Sequence, residues 1–175
     1  MASDAFTADA SPLASPWVAA FGNNLRATGG VCATITAGAN ACMRHSTSVV
    51  ASCQVTITTV GDGDGGPTIL DSSNNGYTLS NFDASTFHLA PLNAGVFGAD
   101  IGTVAGNYVI GDLMRIRRNG TSVVVSKNGT DVLSVVNTTY TTGLGAAIFL
   151  FNSLQVDDMT DGDNTISPPI AWMVA

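Results

Sequence analysis

Residues Asp112 to Val136 read DLMRIRRNGTSVVVSKNGTDVLSVV, three apolar-alternating runs separated by two Asn-Gly dipeptides. Asn-Gly between alternating runs is the strongest short-range hairpin signal, because a type I′ turn needs positive φ at both central residues. With Asn119-Gly120 at the tip of a two-residue turn, Ile116 opposes Val123 and Met114 opposes Val125. Those four side chains share one face, while Arg115, Arg117, Ser122 and Val124 share the other. The same reading at Asn128-Gly129 sets Val125 against Val132 and Val124 against Leu133. The stretch therefore predicts a three-stranded antiparallel meander with one buried face and one amphipathic face.

Composition extends this reading to the whole chain of 175 residues. Its 13 acidic side chains are all Asp, with no Glu, and its cations are five Arg and Lys127. Glu and Lys are good helix formers; the Thr, Val, Ser, Asn and Gly that replace them favour strands and turns. An all-β protein follows. A net charge of −7 argues against nucleic acid, since phosphate binding needs clustered cations. Arg115, Arg117, Arg118 and Lys127 do gather in the meander, where they solvate an outer face or form a small anionic-partner patch. No stretch approaches the ~18 apolar residues of a membrane span. The opening MASDAFTADASPL has neither a basic nor an apolar leader region, so folding in a cytoplasm without a secretory signal is expected.

Cys32, Cys42 and Cys53 lack C-x-x-C spacing and read as buried free thiols, with a Cys32–Cys42 bridge as the alternative. His45 and His88 have no zinc-like spacing to them. Gly61–Pro67, GDGDGGP, reads as a flexible loop; its two Asp could also supply oxygen to Ca²⁺, although the EF-hand pattern is not met. Val49–Val60 alternates as a long strand, and Leu144–Phe151 is a continuous apolar run suited to a strand buried on both faces. Trp17 reads as a core anchor. About thirteen to fifteen short strands at this spacing fit an antiparallel two-sheet β-sandwich. That sandwich would span residues 1–163, leaving 164–175 as an apolar tail in which Ile170, Trp172, Met173 and Val174 form a docking segment.

Four features resemble the concanavalin A-like lectin/glucanase jelly roll in its laminin-G-like form. They are the DAFTAD…SPLASPW opening, the Gly-Asp loop after a long strand, the hairpins DLMRIRRNGTSVVVSKNGTDV, and the closing strand VDDMTDGD. The resemblance implies a jelly-roll sandwich whose first and last strands pair. Some members carry a structural Ca²⁺ there; the matching positions are Asp4 with Asp157 or Asp158, and solvated Asp at strand ends is the alternative. Its hydrolases use clustered Glu and Asp, which this chain lacks, so no enzyme and no cofactor beyond that structural Ca²⁺ are expected.

Function is less specified, because this superfold hosts many activities. A lectin-like sandwich with an apolar docking tail suits a non-catalytic structural and recognition protein on a bacteriophage virion surface, as a capsid decoration or tail appendage. Its partners would be other virion proteins, copies of itself and surface glycans. A carbohydrate-binding module is the alternative. Sugar recognition needs exposed aromatic faces beside hydrogen-bonding groups, and Tyr77, Phe82, His88, Tyr108 and Tyr140 are the candidates, with core or edge packing as the other role for each.

Overall fold

A computed structural model describes residues 3–6 and 9–162. The strands are β1 (Ser3–Asp4), β2 (Trp17–Gly22), β3 (Leu25–Thr28), β4 (Val31–Thr34), β5 (Asn40–His45), β6 (Ser52–Thr59), β7 (Asp64–Leu70) and β8 (Gly76–Ser80). They continue as β9 (Thr86–Asn93), β10 (Val96–Phe97), β11 (Gly102–Ala105), β12 (Leu113–Asn119), β13 (Ser122–Lys127), β14 (Thr130–Val136), β15 (Gly145–Phe151) and β16 (Gln155–Thr160). One sheet runs β14-β13-β12-β6-β16-β4-β3, with β1 on β16; the other runs β10-β9-β8-β7-β15-β5-β2, with β11 on β9. Every ladder between these strands is antiparallel, and β1 pairs with β16 as the resemblance implies. No helix among the described residues is long and apolar enough to cross a membrane.

Period-2 alternation decides what lies between the sheets. Met114, Ile116, Val123 and Val125 from the meander meet Ile69, Tyr77, Leu79, Phe87, Leu89 and Ile148 from the facing sheet, all buried. Each fully buried aliphatic side chain there contributes about 1.5–3 kcal/mol relative to exposure. The run at Leu144–Phe151 forms β15, flanked by β7 and β5, and is buried on both faces almost throughout. Its inward Ala146, Ile148 and Leu150 join the main core, while Ala147 and Phe149 form a second apolar cluster with Cys42, Leu70 and Leu92 on the outer face. All three cysteines are buried and free.

The meander forms, with two corrections to its register. Ile116 opposes Val125 and Met114 opposes Lys127, so the first turn is closed by Asn119 and Ser122 with Gly120-Thr121 at its tip. Of these two tip residues only Gly120 has positive φ, the pattern of a turn with Gly at its first central position. The slide moves the pairing by two residues, which preserves parity and keeps the same side chains inside. At the second turn Asn128 and Gly129 both have positive φ (52° and 81°), as a type I′ turn requires. A bulge at Val125/Ser126 then sets Val125 opposite Leu133 rather than Val132, and Val124 opposite Ser134 rather than Leu133.

The Gly-Asp cluster is also corrected. Asp64, Gly65, Gly66 and Pro67 are the first half of β7, paired with Phe151 to Ile148 of β15. A Cβ on Gly65 would run into the Phe149 carbonyl oxygen, and one on Gly66 would meet the Tyr108 hydroxyl at 2.5 Å. These glycines serve close backbone approach, not loop freedom. The two carboxylates diverge as well. Asp62 accepts a hydrogen bond from Ser153 Oγ, while Asp64 accepts from the Gly65 and Asn81 amides.

Candidate functional site

β9 alternates Phe87 and Leu89 into the core with His88 and Ala90 on the outer face. The segment entering β9, Asn81-Phe82-Asp83-Ala84-Ser85, folds back over that face. Three sets of bonds pin it. Asp83 Oδ1 accepts from the Ser85 and Thr86 amides (2.9 and 2.7 Å), a local turn that Asp favours. Asn81 Nδ2 donates to the Thr86 and Gly106 carbonyls (2.7 and 3.1 Å). The Asn81 amide in turn donates to Asp64 Oδ1 at 2.6 Å.

The pinned segment lays Phe82 against His88, ring centroids 4.2 Å apart and planes 30° from parallel. Phe82 nevertheless remains 65% exposed, far more than its size and apolar character favour. His88 is held from both ring nitrogens, Nδ1 by Asp100 Oδ2 at 2.7 Å and Nε2 by Asp83 Oδ2 at 3.4 Å. Burial lowers the imidazole pKa, but the hydrogen bonds and charges of Asp100 and Asp83 outweigh it, and the net shift is upward. Asp83 is held well below the carboxylate range by the Ser85 and Thr86 amides and by His88. Burial pushes Asp64 upward, against the opposing pull of its two amide donors.

The result is a rigid aromatic face flanked by partly exposed carboxylate oxygens. It offers stacking to the C–H face of a sugar ring and hydrogen-bond acceptance to hydroxyls. Of the five aromatic candidates the fold brings together Phe82 and His88. Tyr77 and Tyr108 are in the core, at 0% and 3% exposure, and present no face to solvent. Tyr108 donates to the Gly65 carbonyl at 2.6 Å and packs on Phe87 from inside. Tyr77 donates to Asn137 Oδ1 at 2.7 Å, and Tyr140 sits edge-on against it at 5.6 Å, half-buried and packed on the main core. Asp83 could have been read from its turn sequence Asp-Ala-Ser. Asp100 carries no local signal; the pairing of Thr103 with His88 brings its segment there.

Asp4, Asp157 and Asp158 do not form the ligand set that a structural Ca²⁺ would need. Asp4 spends Oδ1 on the Phe6 amide and Oδ2 on the Trp17 indole N–H, both at 2.7 Å, and Asp157 Oδ1 accepts from the Asp158 amide. Among the described residues no group of three or more His, Cys, Asp or Glu side chains is placed to hold a metal ion. The docking residues Ile170, Trp172, Met173 and Val174 lie outside the described residues.

No family model matches the chain, and no curated protein matches it in sequence. Solved structures do match in fold. A carbohydrate-binding module, CBM66 from Bacillus subtilis, superposes with a TM-score of 0.60 at 13% identity, covering 81% of this chain and 91% of its own. A protein of unknown function with a galectin-like fold, also from Bacillus subtilis, gives 0.66 at 11% identity, covering 91% and 93%. A β-1,3-1,4-glucanase (lichenase) from a mouse hindgut metagenome gives 0.57 at 8% identity, covering 91% and 95%. The protein is thus an all-β, concanavalin A-like jelly-roll sandwich. At these identities the likeness defines the fold alone.

Proposed function

We propose that this chain is a non-catalytic glycan-recognition module that binds sugar rings on Phe82. The observation that carries the reading is the 65% exposed Phe82 ring, stacked on an imidazole that two carboxylates hold in place. A large apolar ring held rigidly in water has no folding benefit that burial would not exceed, and it loses little entropy on binding. A carbohydrate-binding module and a galectin-like protein on the same fold support the reading without supplying a ligand. The carboxylates support its non-catalytic part. Glycoside hydrolysis pairs a protonated acid with a second carboxylate across the bond. Here Asp83 is held too acidic to keep a proton near neutrality, and the raised Asp64 is turned onto two backbone amides.

The test is a glycan array probed with the wild type and with Phe82→Ala. At an exposed position the substitution leaves folding intact, and binding to the array hits is expected to fall by about tenfold or more, the scale of one lost aromatic contact. Unchanged binding by the variant, or release of reducing ends from the bound glycan, would overturn the proposal.

A second reading places the module on a bacteriophage virion surface, as a capsid decoration or tail appendage bound to other virion proteins or to copies of itself. The apolar segment Ile170-Ala171-Trp172-Met173-Val174, following two prolines, favours it. Deleting Ser167–Ala175 is expected to abolish co-sedimentation with particles and leave the circular dichroism of the sandwich unchanged. Normal incorporation of the truncated chain would refute this placement.

A further inference from the structure

In an Asn-Gly dipeptide the side-chain amide is open to attack by the following backbone nitrogen, because glycine puts no Cβ in the way and its backbone turns freely. The chain has three such dipeptides, Asn75-Gly76, Asn119-Gly120 and Asn128-Gly129. Attack requires the Asn Cγ to swing onto the nitrogen of the next residue, so whatever ties the side-chain amide down opposes it. The fold ties them unequally.

Two of the three are held at both ends of the amide. Asn75 Nδ2 donates to Asp71 Oδ2 at 3.1 Å, and its Oδ1 accepts from the Ala94 amide at 2.9 Å. Gly76 is buried in β8, paired with Leu70 on one side and Leu92 on the other, and a Cβ there would run into the Ile69 carbonyl oxygen. Asn128 Oδ1 accepts from the Leu113 amide at 2.8 Å, and its Nδ2 donates to Asp112 Oδ1 at 2.9 Å. Asn119 differs. It is exposed at the end of β12, and among the described residues its side-chain amide has no hydrogen-bond partner. Gly120 stands at the turn tip, and a Cβ built on it would meet nothing within 4 Å. Exposure alone does not separate the sites, because Asn128 is exposed and Gly129 is open as well. The bonds on the side-chain amide do.

We propose that Asn119 is a site of spontaneous deamidation and that the fold protects Asn75 and Asn128. The Gly120 nitrogen forms a bond to Asn119 Cγ, the Cγ–Nδ2 bond breaks, and the proton from the Gly120 nitrogen leaves with the amide as ammonia. Water then opens the cyclic imide. Opening at one carbonyl leaves aspartate; opening at the other leaves isoaspartate, whose backbone runs through the former side chain. Either product adds one negative charge to a chain at −7, beside Arg117 and Arg118. The open turn tip leaves room for the longer isoaspartyl backbone, so the sandwich is expected to survive the change. The proposal is independent of the Phe82 reading, since β12 lies in the other sheet from β9.

The experiment incubates the full chain in mildly alkaline buffer, folded and, in parallel, unfolded in guanidinium chloride. Each Asn-Gly site is then followed by proteolytic mass mapping in acid, where further deamidation is slow. Without the fold, the same dipeptide at three places is expected to react at similar rates. In the folded chain Asn119 should react at least about tenfold faster than Asn75 and Asn128, the scale of the hydrogen bonds each of those must break. Asn75 or Asn128 keeping pace with Asn119 would overturn the assignment, as would Asn119 being slowed from its unfolded rate as much as the other two. Asn119→Gln, an exposed change whose longer side chain closes the ring poorly, should remove the leading acidic form seen on ion exchange. Persistence of that form in the variant would overturn the assignment as well.

Discussion

His88 is the residue on which the aromatic face depends, because its ring is the floor beneath Phe82. Its pKa is raised above 6.5 by Asp100 and Asp83 after burial is overcome. A group whose folded-state pKa is raised contributes stability that is fully present below the unfolded value, about pH 6.5, and lost as pH rises through the folded value. The melting temperature of the wild type is therefore expected to fall across that window, and His88→Gln should flatten the fall. A wild-type profile already flat from pH 6 to 8 would contradict the arrangement. Both Asp partners are partly exposed, so the effect is a modest one. At the residue scale the sequence marks Phe82 and His88 as candidates but does not rank them above Tyr77 or Tyr108. All four are aromatic side chains near turns, and only the sheet packing buries two of them. Asp100 was out of reach for a plainer reason: nothing local ties it to a histidine twelve positions earlier.

At the scale of elements, β7 shows why glycine-rich sequence misleads. GDGDGG carries every mark of a loop, yet from Asp64 onward it pairs residue by residue with β15. What the sequence alone does not reveal is a close neighbour, and it is proximity to the Phe149 carbonyl and the Tyr108 hydroxyl that requires hydrogen at Gly65 and Gly66. Gly65→Ala is expected to cost about 2 kcal/mol or more, since it combines backbone overlap with a φ of 113°. Gly120→Ala, at a turn tip with nothing within 4 Å, should cost only about 1 kcal/mol from its positive φ. Chemical denaturation of the two variants checks the order, and equal losses would contradict it. In the meander the slip of two residues at Gly120 preserves parity, so Met114, Ile116, Val123 and Val125 stay inside. The bulge at Ser126 shifts β14 by one residue and reverses its facing, setting Leu133 and Val135 beside Val125 and Val123 where Val132 was expected.

For the whole molecule, strand content and sandwich architecture were legible because they rest on composition, alternation and turn residues summed over many segments. Pairing of the first strand with the last was implied by family resemblance and is seen as β1 on β16. The calcium expectation drawn from the same resemblance does not fit, since Asp4 serves the Trp17 indole and the Phe6 amide instead. Thermal melting with and without a chelator should accordingly give the same midpoint; a drop on chelation would restore a metal to that corner. Function was the least legible level. One fold carries binding modules and glucanases alike, and the side chains of the candidate site, Asp64, Phe82, Asp83 and His88, come together only through the packing of β7, β9 and the segments beside them.

The central claim is that sugar rings dock on Phe82. Its most direct test is the amide NMR spectrum of the protein titrated with the strongest glycan from the array. Shifts are expected to concentrate at Phe82, Asp83, His88 and Asp100 and to vanish in Phe82→Ala. Shifts that map to another surface, or persist in that variant, would contradict the claim.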